Sequence, residues 1–503
     1  MPQPHQSKKP NGNWVTDYYR LDIKTIEQDL KNQTGNIWQT QSEKRALDIF
    51  HQAAKRVPAY KDFLHQHKIR PEKIKSIKDF SQVPATDKKN YIFKYPLKMR
   101  AWDGKLNQGK IIASSSGTTG SSNFWPRGRG QELKAAVTHE LLYKNFFEID
   151  KYQTLLIIGF PMGVYVSGMA TVLPSWLVAQ KYPLTVMSVG NNKTETLKAI
   201  KNLHKLYQQI IFVGHPFFIK DVIETGKSAG VDWKKIKLRL MFCSEGFNEA
   251  WREHLMDEAG IKNKFGSTLS TYGSSEMLLM AFETPMSISL KQLAENKPSL
   301  FGRAHAPNVF QYNPLLRYVE GVNRELIFTS DSGLPLIRFN LHDSGKTLNF
   351  KQAATALDSG NKNWRANIKP WPLWQLPFLA LWGRSDHTII FYAANIYPEH
   401  IHAALHQKPF LRNLTGKFTL HKGYKKNMDE FLEINIELRP NVKKQNTMAK
   451  NIQQAVVEKL EGINMEYQFL RNHLEKDLVP RVKLHPYQHP AYFKPGLKPK
   501  YIS

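Results

Sequence analysis

From about Ile111 onward, short runs of apolar residues alternate with longer stretches in which apolar positions recur every three or four residues. The runs are Leu155–Ile158, Val186–Val189, Ile210–Val213 and Leu238–Phe242, and the periodic stretches fall at 194–208, 217–229 and 247–259. Continuous short apolar runs suit strands covered on both faces, and strands separated by helices pair in parallel. The pattern predicts a large α/β unit with mostly parallel sheets. Upstream, Leu47, Ile49, Phe50 and Ala54 share one helical face over 43–57, and Pro58 is expected to stop that helix. Residues 72–98 read as short helices and turns.

Beyond residue 300 the period changes. Glu325–Thr329 and Leu334–Phe339 alternate polar and apolar, which predicts a smaller, turn-rich β part. An insertion at about 350–376 carries bulky aromatics but little periodicity. After Gly383–Arg384 a further unit is expected. It has a strand at Thr388–Tyr392, a helix after Pro398, a strand at Leu432–Leu438, a helix at 445–460 and a basic tail. The expected organisation is a polar, loosely held extension over 1–40, a large α/β domain over 41–385 and a small α+β unit over 386–503. The stretch Gln153–Gln180 has no charged residue, but Gly159, Pro161, Gly163, Gly168 and Pro174 interrupt it. It is expected to be a buried strand, a loop and a buried helix, and not a membrane span.

Composition narrows the picture only a little. The chain has 503 residues, 41% hydrophobic and 12% aromatic, ordinary for a globular protein. Its single cysteine, Cys243, excludes an internal disulfide framework and a thiolate zinc cluster. The first residues, MPQPHQSKKPNGNW, lack the apolar core of a secretion signal, so a cytoplasmic location is expected. The net charge of +28 is unusual, but its 71 Lys and Arg residues are scattered and form no block or stripe. A dispersed positive surface favours anionic small molecules in general, and no specific nucleic-acid partner is expected.

The chemistry-bearing strings come in order. The segment SSSGTTGSS, Ser114–Ser122, directly follows an apolar pair, Ile111–Ile112. Hydroxyls and glycine amides in such a run can wrap an oligophosphate. It lacks the Gly-Lys-Ser/Thr ending of helix-capped nucleotide loops, and a plain Ser/Gly linker is the bland alternative. STYGSSEM follows at Ser270–Met277, PLIRFNLHDSG at Pro335–Gly345, GRSDH at Gly383–His387 and KPGLKPKYIS at the C-terminus. A carboxylate can take both hydroxyls of a ribose, and Mg²⁺ needs only one or two protein carboxylates beside phosphate oxygens.

Together these strings resemble the adenylate-forming superfamily of acyl-CoA ligases, adenylation domains and luciferases. They are most similar to its phenylacetate–CoA ligase branch, over about residues 45–500. The resemblance implies that Ser115, Ser116, Gly117, Thr118, Thr119 and Gly120 hold ATP phosphates. Tyr272 would lie by the adenine, with Gly273 allowing close approach, and Glu276 would bind Mg²⁺. Asp343 would take the ribose and Arg384 the phosphate or ribose, while Asp386 would be the hinge of a mobile C-terminal lid. Lys498 or Lys500 would contact the α-phosphate. Ser244 and Glu245 would flank the adenine, or else merely end a strand before the helix that Asn248 caps. Tyr165, Gly168, His215 and Pro216 would line the acid pocket. One departure stands out: the family's glycine near Asn395 is replaced by Ala393–Ala394.

The expected activity is ATP-dependent conversion of a carboxylic acid, aromatic by analogy, to acyl-AMP with release of pyrophosphate, followed by transfer to a thiol, CoA in the first instance. ATP, Mg²⁺ and CoA are the implied cofactors and substrates. The altered loop keeps a carrier protein, an amine or a protein side chain open as acceptor. The high charge keeps open an inactive polyanion-binding protein of the same fold.

Overall fold

The structure, a computed structural model, describes residues 22–493 except 108–109, 116–122, 304–305, 332, 361–362, 385–387, 406 and 475–476. Most of the phosphate-loop string (Ser116–Gly120), the hinge candidate Asp386 and the two terminal lysines Lys498 and Lys500 therefore lie outside the described residues.

A hairpin of β1 (Ile111–Ser115) and β2 (Asn123–Arg127) stands apart from the main sheet. The main sheet begins with β3 (Thr154–Gly159), β4 (Leu184–Ser188), β5 (Gln209–Gly214), β6 (Leu238–Cys243) and β7 (Thr268–Ser274). These five run parallel in the order β4-β3-β5-β6-β7. β3 and β5 are buried throughout and β6 and β7 mostly, as the continuous apolar runs require, while the edge strand β4 buries only Leu184; helices Lys193–Leu203, Pro216–Ser228 and Glu249–Glu258 are crossovers.

The same sheet then turns antiparallel. β8 (Leu278–Phe282), β9 (Asn308–Gln311), β10 (Tyr318–Val322), β11 (Glu325–Ser330), β12 (Leu336–Leu348) and β13 (Phe378–Arg384) extend it in the order β7-β8-β9-β13-β12-β11-β10. The smaller, turn-rich β part expected beyond residue 300 is thus continuous with the parallel half through the β7–β8 hairpin. Alternation along β11 and β12 reads as a local sheet from sequence, because the pairing that joins β13 to β9 spans about seventy residues and leaves no local trace.

The small lobe follows. A two-stranded hairpin of β14 (Ile389–Phe391) and β15 (Ala394–Ile396) precedes a three-stranded sheet of β16 (Leu414–Tyr424), β17 (Glu430–Leu438) and β18 (Arg481–His485). Helices Pro398–Leu405, Asn446–Ile463 and Met465–His473 accompany it.

Two local expectations differ from the structure. Residues 22–40, expected to be loose, are largely helical (Ile23–Asn32 and the start of Gly35–Arg56). Ile26, Leu30 and Trp38 are buried there against Leu141 and Phe146 of helix Arg129–Phe147. The sparse apolar residues looked insufficient because their partners come from another helix. The helix over 43–57 ends at Arg56, just before Pro58, as expected, and Pro58 is itself the first residue of a new helix, Pro58–Gln66, where its missing N–H costs nothing. The insertion at 350–376 forms helices Phe350–Gly360 and Trp364–Ile368, with Leu357 and Trp364 packed on Leu290 and Leu293. Gln153–Gln180 holds β3, a loop and helix Val166–Ala179, as expected. Among the described residues no helix is long and apolar enough to cross a membrane.

Candidate active site

A cavity of about 330 Å³ opens at the C-terminal edge of the parallel strands and is closed on one side by the small lobe. Ligands of open α/β sheets sit at this edge, because the loops leaving the strands converge there. Ser115, Tyr165, His215, Ser244, Glu245, Tyr272, Gly273, Glu276, Asp343 and Arg384 all line it. Segments separated by more than two hundred residues are thereby brought to one chamber.

Each is placed by its element. Ser115 ends β1, where its hydroxyl accepts a 2.9 Å bond from the Trp125 indole across the hairpin. Its neighbour Ser114 donates its amide to the Val164 carbonyl at 2.8 Å, which ties the phosphate-loop strand to the loop carrying Tyr165. Gly273 sits in the tight β7–β8 hairpin, where a Cβ would lie 2.7 Å from the Leu278 carbonyl oxygen. That close approach, and not only ligand access, calls for glycine. The hairpin presents Glu276 at its tip.

Glu276 is only 5% exposed. Burial pushes its carboxyl up, but the Lys88 ammonium 3.0 Å away outweighs it, so the net shift is downward and the group is ionised. For Lys88, burial opposes the charge and Glu276 restores it, with a raised result. Lys88 was not singled out from the sequence. It is placed by Thr86, which bonds β12 like an extra strand (Thr86 N to Arg338 O, 3.0 Å; Asn340 N to Thr86 O, 2.7 Å). Asp87 then caps the short helical turn Lys88–Ile92 by accepting from Asn90 N. The only sequence signal was the string ATDKKN, within a stretch similar to the family's N-terminal lead.

Asp343 lies on β12 directly across from Arg384 on β13, and the guanidinium is 3.8 Å from its Oδ1. The Tyr272 hydroxyl donates to Asp343 Oδ2. Burial and the adjacent carboxylate push the Tyr272 phenol well up, so it stays a donor.

Other expected residues fall differently. Glu245 reaches the cavity, but its carboxylate is engaged by Lys422 of β16, which also lies 3.0 Å from Glu430 of β17. Burial and Glu430 raise the Glu245 carboxyl, and Lys422 opposes them. Gly168 does not line the chamber: a Cβ there would meet the Pro161 carbonyl oxygen at 2.4 Å, so the glycine lets helix Val166–Ala179 sit on the loop after β3. Pro216 starts helix Pro216–Ser228 and faces a smaller neighbouring cavity. Burial pushes the Cys243 thiol up, which suits a packed residue and not a nucleophile.

The small lobe supplies one wall through Tyr392, Ala393, Asn395, Tyr397, Glu466 and Phe469. Tyr392 and Ala393 form the β14–β15 turn, both at positive φ (48° and 67°). Ala393 thus adopts the left-handed backbone for which glycine is usual. Further contacts close the lobes: Lys220 to Asp429 at 2.9 Å, Phe217 against Tyr392 and Tyr165 against Phe469. Among the described residues no group of three or more His, Cys, Asp and Glu side chains is gathered for a metal. One ionised carboxylate, Glu276, is nevertheless what Mg²⁺ requires when phosphate oxygens supply the remaining ligands.

No family model matches the chain. Phenylacetate-coenzyme A ligase of Aromatoleum evansii is 23% identical over 414 residues, covering 80% of this chain and 83% of that enzyme. The structure of 2-hydroxyisobutyryl-CoA ligase in complex with 2-HIB-AMP and CoA in the thioesterification state superposes with a TM-score of 0.65 at 14% identity, covering 95% of this chain and 91% of that one. The same ligase in the postadenylation state with 2-HIB-AMP gives 0.54 at 13% identity over the same shares. Its open conformation gives 0.53 at 14% identity, covering 92% and 90%. These likenesses fix the architecture: the chain has the two-lobed fold of the 2-hydroxyisobutyryl-CoA ligase structures.

Proposed function

We propose that this chain activates a carboxylic acid as its acyl-AMP and passes the acyl group to the thiol of CoA. The observation that carries the reading is the meeting of Ser115, Tyr272, Glu276, Asp343 and Arg384 in one chamber between two lobes. An acid carboxylate oxygen would attack the α-phosphorus of ATP and pyrophosphate would leave. The CoA sulfur would then attack the acyl carbon, lose its proton, and AMP would leave.

This chain's residues serve those steps by positioning and charge. Asp343, oriented by the Tyr272 hydroxyl, would accept the ribose hydroxyls, with Arg384 beside it for phosphate. Glu276 would hold Mg²⁺, which supplies charge neutralisation at the phosphates, and Lys88 keeps that carboxylate ionised until then. Ser115 begins the phosphate loop, Ser116–Gly120 would continue it, Lys498 or Lys500 would meet the α-phosphate, and Asp386 would be the pivot of the small lobe. The apolar wall of Phe160, Val213, Met241 and Leu278 supports an aromatic acid, as does the likeness to phenylacetate-coenzyme A ligase. The better superposition on the thioesterification state supports lobes set for the second step. Ala393 keeps the turn geometry that glycine would give, so the altered loop no longer favours an acceptor other than CoA. A polyanion-binding role gives no reason to bury and ionise Glu276.

The test is acid-dependent exchange of pyrophosphate into ATP. Glu276→Gln should lower its rate by about 100-fold or more. An unchanged rate removes the metal assignment, and absence of exchange with every acid removes the reading.

A further inference from the structure

The string expected to wrap the triphosphate, Ser114–Ser122, holds hydroxyls and amides but no cation. The first basic side chain after it, Arg127, is 1% exposed and lies 3.4 Å from Glu132. Phosphoryl transfer leans on cations that neutralise the oxygens around the reacting phosphorus. The chamber has to draw them from other segments.

Lys88 is placed for this. It lines the chamber, and among the described residues Glu276 is the carboxylate within ion-pair distance of its ammonium, at 3.0 Å. The lysine is the outer member of the pair: 24% of its side chain is exposed, against 3% for Glu276. A ligand in the chamber therefore meets the ammonium before the carboxylate. Arg384 is near enough to repel Lys88, and stands 3.8 Å from Asp343. Two cations thus face two carboxylates on one wall. An ammonium and a divalent cation repel each other and compete for a single carboxylate, and an ammonium left without an anion in a closed chamber is costly. A lysine carries its charge on a flexible stem that can change partner.

We infer that Lys88 is a phosphate-binding residue of the adenylation step: when Glu276 turns to the metal, the Lys88 ammonium passes to a β- or γ-phosphate oxygen of ATP. The inference rests on the proposed acyl-adenylate chemistry and adds a residue outside the phosphate loop and the C-terminal lysines. The metal-bound phosphates are the ones within its reach, because the pair sits at the metal carboxylate. As the acid oxygen bonds to the α-phosphorus, the bond from that phosphorus to the bridging oxygen breaks, and its electron pair stays on pyrophosphate. Lys88 neutralises part of that charge. Once pyrophosphate has left, the ion pair with Glu276 re-forms.

The experiment is equilibrium titration of the full chain in Mg²⁺, without acid, using ATP and AMP as probes. Lys88→Met should raise the Kd for ATP by about tenfold or more and that for AMP by less than about twofold. Lys88→Arg should recover part of the loss, and Lys89→Met, at the exposed neighbouring position, should change neither value. A lysine that merely keeps Glu276 ionised would weaken ATP through the metal alone, and the Glu276→Gln background separates the two roles. There Lys88→Met should still raise the Kd for ATP by about fivefold or more. No further rise in that background, or equal losses for ATP and AMP, overturns the inference and leaves adenylation standing. The double variant buries no unpaired charge, so it keeps the test open where Lys88→Met alone fails to fold. Absence of pyrophosphate exchange in the unaltered chain with every acid overturns instead the acyl-adenylate reading.

Discussion

A neutral buried histidine is stable only while the solution does not protonate the unfolded chain. His139 and His215 have folded values of about 4 against an ordinary 6.5. Their contribution is therefore complete above about pH 6.5 and is lost as the pH falls toward 4, because the unfolded state binds the protons first. At pH 5 each ring should cost about 2 kcal/mol relative to pH 7. Denaturant midpoints at the two pH values measure this, and His139→Phe should flatten the slope. At this scale, side chains carried in ordered strings were legible: Tyr272, Glu276 and Asp343 were read from their neighbours and share one chamber. Lys88 was not legible, because its direction is set by a backbone pairing between Thr86 and β12, some 250 residues away. Nor was the partner of Glu245, since Lys422 arrives from the other lobe.

Among elements, strands buried on both faces were the easiest to read. β3 and β5 match their apolar runs to within a residue at either end, because burial on two faces leaves no polar position inside, and β6 does so although it carries Arg239, whose guanidinium bonds the Gly266 carbonyl and the Ser267 hydroxyl. The helices of 22–40 and of the insertion were harder, since each buries a narrow stripe against a distant partner. The β14–β15 hairpin shows what sequence likeness alone misses. The missing glycine suggested an altered loop, yet Ala393 holds the left-handed conformation at φ 67°. An L-residue there costs about 1–2 kcal/mol, and glycine recovers this minus about 0.4–1 kcal/mol of unfolded-chain entropy. Ala393→Gly should therefore raise stability by up to about 1 kcal/mol, read as a higher melting temperature. A lower melting temperature would show that the methyl group makes a packing contribution larger than the strain.

Over the whole molecule, the two-lobed plan was legible from the change of pattern late in the chain, but the closure between lobes was not. Its contacts join residues far apart in sequence: Lys422 with Glu245, and Lys220 with Asp429. Removing the cation from a buried cluster leaves carboxylates uncompensated, at about 3–5 kcal/mol. Lys422→Met should accordingly weaken this arrangement and slow single-turnover transfer from preformed acyl-AMP to CoA by at least tenfold. An unaltered transfer rate would mean that the cluster does not hold the lobes.

The wall that Tyr392, Asn395 and Phe469 lend to the chamber has one more effect. A compartment with a borrowed side widens when that side is withdrawn. Under the proposed pivot of the small lobe, entry and departure would share one swing, and a thicker solvent that drags on the swing should slow turnover without touching the bond-making.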